Sequence, residues 1–152
     1  MKMTNKRNIK QEYIFKAKVV RVIDGDTIDV DIPVGFGITK TKQRCRSNGI
    51  DTPESRINTT KKGKKGYKKI INGKTLPERI REKEMGLQGK ARMKVLCGKE
   101  VYIESLDGGK LDKYGRLLIN LYTLDGINIS ATLIKEGLAI KYSGGKKKHV
   151  WA

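Results

Sequence analysis

The sequence predicts a small β-barrel of the α+β class, folded as one domain. Three observations predict it. The chain has 152 residues, a length that suits a single domain. Five segments carry strand patterning, and a helix-patterned stretch falls between the third and the fourth. About 37% of the residues are hydrophobic, enough for one modest core, and no internal repeat divides the chain.

The first strand is expected over residues 13–23, which are rich in Val, Ile, Phe and Ala. Asp24-Gly25-Asp26 follows, and Asp-Gly between apolar runs signals a hairpin. Residues 27–32 then alternate, with Ile28, Val30 and Ile32 on one face and Asp29 and Asp31 on the other. Pro33-Val34-Gly35-Phe36-Gly37 is expected to break that strand. A third strand is expected over 39–50, irregular near its end because Arg46-Ser47-Asn48-Gly49-Ile50-Asp51 is polar. Residues 56–83 are rich in Gly, Lys and Asn and read as a long insert. A helix is expected over 84–97, with Leu87, Ala91 and Val95 at i, i+4, i+8 as its apolar face and Gly98 ending it.

A fourth strand is expected over 100–106 and a fifth over 115–123. Asp125-Gly126 turns the chain, and Asn128 can cap a short helix over 129–136 that Gly137 closes. Five strands, with one helix after the third and a short one after the fifth, make the layout of a small, partly open barrel of the OB type. The domain is expected over 13–142, with a basic N-terminal arm at 1–12 and a basic tail at 143–152.

The residue counts exclude several functions. There is one histidine (His149), and there are two cysteines (Cys45, Cys97), too few for a four-ligand zinc site built from His and Cys alone. A hydrolase using two histidines is excluded as well. A Ser-His-Asp arrangement would have to recruit His149, beside the end of the chain. The two thiols are expected to be free. No apolar run approaches the roughly 18–20 residues of a membrane span, and residues 1–16 do not read as a signal peptide. A cytoplasmic or virus-encoded setting is expected ahead of secretion, and a monomer ahead of an oligomer.

The charge is large and uneven. The chain carries 34 Lys and Arg against 16 Asp and Glu, a formal +18. Residues 1–16 hold +4, residues 56–83 hold +9 and residues 141–152 hold +4, so the strand-forming parts are nearly neutral. The insert contributes Lys61, Lys62, Lys64 and Lys65 in one run. A polyanion is the natural partner, because each cation seated on a phosphate releases a counterion. Nucleic acid, DNA or RNA, is expected ahead of an acidic membrane or protein.

Three motifs carry the chemistry. They are Asp24-Gly25-Asp26-Thr27, Arg46 with Asp51-Thr52-Pro53-Glu54, and Asp112-Lys113-Tyr114-Gly115-Arg116. Each alone also reads as a turn or a charged hairpin. Together they hold a complete set for attack of water on a phosphodiester. Asp26 and Asp51 are hard oxygen ligands of the kind Ca²⁺ or Mg²⁺ takes. Arg46 and Arg116 are permanently charged forks suited to phosphate oxygens. Glu54 is the nearby carboxylate free to orient or deprotonate water.

On these motifs the sequence resembles the staphylococcal nuclease (thermonuclease) family of OB-fold nucleases. The matching residues are Val20-x-x-x-Asp24-Gly25-Asp26-Thr27, Arg46 five residues before Asp51-Thr52-Pro53-Glu54, Asp112 to Arg116, and Leu133-Ile134-Lys135-Glu136-Gly137-Leu138-Ala139. The likeness runs from about residue 14 to 142. It implies an SNase-like fold and Ca²⁺-dependent cleavage of DNA and RNA, leaving 3′-phosphate and 5′-hydroxyl ends. It implies that Asp26 and Asp51 bind calcium, that Thr52 lends a backbone carbonyl, and that Asp24 supports the site. Arg46 and Arg116 would hold the phosphate and stabilise the transition state, and Glu54 would be the general base. Lys113 and Tyr114 would contact a neighbouring phosphate, and Tyr142, after a one-residue gap, would line the nucleotide pocket. The alternative is a non-catalytic nucleic-acid-binding module of the same fold. Two departures stand out: the insert is longer and more basic than the family's loop, and the family's long final helix is expected to be absent.

Overall fold

The computed structural model describes residues 6–7, 9–57, 70–71, 74–144 and 151. Five strands form a closed barrel: β1 (Ile14–Asp24), β2 (Thr27–Gly35), β3 (Ile38–Ser47), β7 (Glu100–Ser105) and β8 (Leu117–Tyr122), in the order β1-β2-β3-β8-β7. The four strands β4 (Ile50–Asp51), β5 (Ile70–Ile71), β6 (Lys74–Thr75) and β9 (Ile140–Lys141) are two-residue pieces, with β4 paired to β9 and β5 to β6. The helices are α1 (Leu76–Cys97) and α2 (Ile129–Lys135). The five barrel strands correspond to the five expected ones.

The barrel is closed rather than partly open. Its seam is the parallel pairing of β3 with β8, through Cys45 with Leu117, Arg46 with Leu118 and Ser47 with Ile119. Alternating residues fill the interior: Ile28, Val30 and Ile32 from β2, Val101 and Ile103 from β7, and Ile119 and Leu121 from β8 are all buried. Met93 and Cys97 of α1 and Ile129 and Leu133 of α2 join that core.

Three expectations about the elements are corrected. First, β2 does not stop at Ile32 but runs through Pro33 to Gly35. Pairing of β2 with β1 ends at Asp31, whereas pairing with β3 continues to Gly35, so Pro33 sits on a one-sided extension where its missing N–H costs no ladder bond. Second, the third strand ends at Ser47, and Asn48-Gly49 turns the chain before β4, with Gly49 at φ 78°.

Third, α1 begins at Leu76, well before residue 84, inside what reads as insert. Thr75 caps it. Its hydroxyl accepts from the Glu78 amide at 3.3 Å, and Glu78 accepts from the Thr75 amide at 3.1 Å. The buried face is also a different one. Leu87 and Val95 are 47% and 71% exposed, whereas Arg79, Glu82, Gly86, Gly89, Met93 and Cys97 face inward. Gly98 ends α1 at φ 58°, and the Asn128 side chain caps α2 by accepting from the Ala131 amide at 3.0 Å, as the sequence indicates. Among the described residues no helix is long and apolar enough to cross a membrane.

Candidate active site

The site is built where β1, β3 and the segment after β4 meet. The Gly25-Asp26 turn joins β1 to β2 and packs directly on Thr52, since a Cβ on Gly25 would stand 3.0 Å from the Thr52 methyl. Asp26 is thereby held at the barrel end, buried. Its carboxylate accepts from the Thr27 hydroxyl at 2.9 Å and from the Thr52 amide at 3.2 Å. The Ser47 amide donates to the Asp26 carbonyl at 2.8 Å, tying the turn to the end of β3.

Arg46 lies between the two aspartates. One terminal nitrogen is 3.2 Å from Asp26 Oδ2 and the other 3.7 Å from Asp51 Oδ1. The same group donates to the carbonyls of Ser47 at 3.3 Å and Ile50 at 2.9 Å. Asp26, Arg46 and Asp51 are each at least nine-tenths buried, so the ion pairs form out of water, where losing one partner would leave a buried charge uncompensated. Tyr142 joins them, its ring centre 6.0 Å from the Arg46 guanidinium.

The donor set fits a hard divalent cation. Two buried carboxylates converge on one shared cationic group, and both are oxygen donors. Among the described residues no cluster of three or more His, Cys, Asp and Glu gathers at metal-binding spacing. A cation here would therefore complete its shell with backbone carbonyl, water or substrate oxygens. Asp24, at the end of β1, accepts a hydrogen bond from the Ser55 hydroxyl, so it braces the loop after Glu54.

Glu54 is positioned through its backbone. Its amide donates to Glu82 Oε1 of α1 at 3.3 Å, and Lys74 Nζ binds both Glu82 oxygens at 3.0 Å. Gly86, one turn further along α1, lies against the Glu54 and Pro53 carbonyls. Glu82, Lys74, Gly86 and Ser55 went unrecognised in the sequence. Gly86 carried the one readable signal, a glycine inside a helix, which costs about 1 kcal/mol unless packing requires it.

A second group forms at the entry to β8. Asp112 accepts from the amides of Tyr114 and Arg116, each at 2.9 Å, and from Arg116 Nε at 2.7 Å. Burial works to raise the Asp112 carboxyl. The hydrogen bonds from Arg116 and Tyr114 and the Arg116 charge outweigh it, and hold the carboxyl below its ordinary range. Tyr114 is the platform of this loop, with Arg116 5.3 Å and Lys113 5.1 Å from its ring centre. The β3–β8 ladder links the two groups: Leu118, two residues after Arg116, is the ladder partner of Arg46. Lys61, Lys62, Lys64 and Lys65 lie outside the described residues.

The cysteines take no part. Both are free and buried. Burial pushes the Cys97 thiol up to about 12, and burial together with the Asp29 charge does the same for Cys45.

Comparison with known proteins agrees with this architecture. A profile of the staphylococcal nuclease homologue family matches residues 44–150. An uncharacterized protein of Bacillus anthracis is 32% identical over 136 residues, which take in 89% of this chain and 51% of that protein. An uncharacterized protein of Methanocaldococcus jannaschii is 32% identical over 133 residues, 84% of this chain and 59% of that protein. The chain thus spans little more than half the length of these relatives.

Proposed function

The chain belongs to the staphylococcal nuclease homologue family, and from that premise we propose that it is a calcium-dependent nuclease acting on DNA and RNA without regard to the sugar. The observation that carries the proposal is the convergence of Asp26 and Asp51 on Arg46, with the Glu54 backbone fixed beside them by Glu82.

Asp26, Asp51 and the Thr52 carbonyl would hold the calcium ion, which supplies Lewis-acid neutralisation of phosphate charge. The chain's own residues do the rest. Substrate phosphate replaces carboxylate as the partner of Arg46, and Arg116 offers a second fork to the other oxygens. Both charges would offset the negative charge that grows as phosphorus becomes five-coordinate. Glu54 takes a proton from the attacking water. The P–O5′ bond breaks in line with the new P–O bond. The departing 5′-oxygen is protonated from solvent, leaving 3′-phosphate and 5′-hydroxyl ends. Tyr114 and Lys113 seat the neighbouring phosphate, and Tyr142 flanks the nucleotide.

Digestion of plasmid DNA and of RNA in Ca²⁺, in Mg²⁺ and in EDTA tests the proposal. Cleavage in Ca²⁺ that EDTA abolishes is expected. Binding that survives EDTA with no cleavage in any metal would instead assign a non-catalytic binding module.

A further inference from the structure

The hairpin that joins β2 to β3 has no part in the site described above. Its tip is Gly35-Phe36-Gly37, three consecutive residues at φ 95°, 57° and 72°. A left-handed conformation is sterically unfavourable for a non-glycine residue, because its Cβ crowds the following carbonyl. Phe36 adopts it with its side chain fully in solvent, at 102% exposure, and Val34 and Ile38 beside it are 36% and 57% exposed. Single exposed apolar residues are ordinary. An aromatic held out in a strained turn between two further apolar residues marks a contact surface.

The rest of the hairpin says what that surface meets. Residues 33–44 contain Lys40, Lys42 and Arg44 and no acidic residue. Arg44 is paired bidentately with Asp29, at 2.9 and 3.1 Å, so Lys40 and Lys42 carry the free charge. Lys42 sits in an irregularity of the β2–β3 pairing at φ 49°, and its amide is fastened to Asp31 Oδ1 at 2.8 Å. Such bulges re-aim side chains. Lys40, Lys42 and Arg44 line a cleft of about 340 Å³ together with Leu111, Gly115 and Leu117. Gly115 stands between Tyr114 and Arg116 in the chain, so the cleft borders the arginine loop of the candidate active site.

The geometry points to a nucleic-acid track that leaves the site past Arg116, follows the cleft along Lys40 and Lys42, and ends with a base stacked on Phe36. The occupant is a single strand, because a base offers its face to a protein ring only when it is not stacked in a duplex. A basic groove ending in an exposed aromatic is the combination that holds single strands. At about 3.3 Å per strand residue, Phe36 lies roughly 30–35 Å from Arg46 along β3, a reach of several nucleotides. This inference rests on the nuclease reading for its direction, and its test separates the two.

The test measures binding of a twelve-residue oligothymidylate and of a trinucleotide in EDTA, with wild-type cleavage in Ca²⁺ as a parallel assay. Phe36→Ala is expected to weaken binding of the long strand about 5- to 100-fold, while Phe36→Trp retains it and the trinucleotide shows no difference. Lys40→Gln with Lys42→Gln should lower the salt slope by about 1.4. Unchanged long-strand affinity in Phe36→Ala, or an equal loss on both lengths, overturns the track. So does Phe36-dependent binding to phosphatidylserine vesicles with oligonucleotide affinity unaltered, which would make the tip a membrane contact. Cleavage by wild type together with an unchanged Phe36→Ala affinity overturns the track alone. A wild type that neither binds nor cleaves overturns both readings.

Discussion

Gly86 of α1 lies so close under Glu54 that a Cβ built on it would stand 2.4 Å from the Glu54 carbonyl oxygen and 2.7 Å from that of Pro53. The helix and the segment bearing the proposed base are therefore in backbone contact, which glycine alone permits. Gly89, one turn on, has its nearest neighbour at 3.8 Å, an ordinary contact. The two glycines should respond oppositely to alanine. Gly89→Ala should stabilise by up to about 1 kcal/mol through helix propensity. Gly86→Ala should destabilise by about 1–3 kcal/mol through overpacking, and lower kcat about 10- to 100-fold by displacing Glu54. Thermal melts and steady-state rates check both. A stabilised, fully active Gly86→Ala would refute the contact.

Calcium binding should be visible without catalysis. A cation held by Asp26 and Asp51 binds the folded chain and not the unfolded one. At a hundred times its Kd it should add about 2.7 kcal/mol of stability, a rise in Tm of about 5–10 °C. Asp26→Asn should abolish the rise. The shift is the quantity to compare, because Asp26 also pairs with Arg46 and its loss lowers Tm by itself. A wild-type Tm indifferent to Ca²⁺ would remove the metal from the mechanism.

Arg116 and Asp112 should separate chemistry from orientation. Arg116→Ala should lower kcat by about 10²–10³, the range for losing one charge-stabilising donor, with long-DNA affinity mostly intact. Asp112→Asn keeps the arginine but loosens its hold, so its loss should be smaller. Its effect on stability should depend on pH in a definite sense. The folded carboxyl titrates below its ordinary 3.8. Its contribution is thus full above that value and is lost as pH falls through the lower folded one. Wild type and Asp112→Asn should converge in stability in acid.

Most of the barrel was legible because its strands alternate and its turns use Asp-Gly and Asn cap chemistry. The acidic and arginine residues were legible because three motifs fall at fixed spacings. The face of α1 was not. Leu87, Ala91 and Val95 give the better apolar period, yet the first inward positions, Arg79, Glu82, Gly86 and Gly89, are polar or small, with Gly86 against the Pro53–Glu54 backbone, and of the inward residues only Met93 and Cys97 reach the core. Arg79 shows the same logic: buried, it donates to the Lys74 carbonyl at 2.7 Å. Asp24 read as a supporter of the metal site, and only the fold reveals that Ser55 also binds it. Contacts between distant segments of this kind leave no local pattern.

The thiols should be inert in the native state. With Cys45 and Cys97 both pushed up to about 12, the thiolate fraction at pH 8 is about 10⁻⁴. A thiol-disulfide reagent at that pH should label neither, and guanidinium should expose both. The associated stability is full below the ordinary value of 9.0 and is lost as pH climbs from there toward 12. Stability should therefore start to fall above about pH 9. Rapid labelling of the folded protein would contradict the burial.

The basic insert should govern affinity and leave the chemical step alone. The formal +18 is concentrated outside the strand-forming parts, and 56–83 alone carries +9. Each lysine seated on a single-strand phosphate contributes about 0.7 to the slope of log K against log salt. Replacing Lys61, Lys62, Lys64 and Lys65 with Gln should flatten that slope by up to about 2.8 and weaken binding most at low salt. Turnover at saturating substrate should be unchanged if, as proposed, Arg46 and Arg116 hold the phosphate undergoing attack. If kcat falls in parallel with affinity, the insert reaches the scissile phosphate, and the division between gathering the strand and cutting it is wrong.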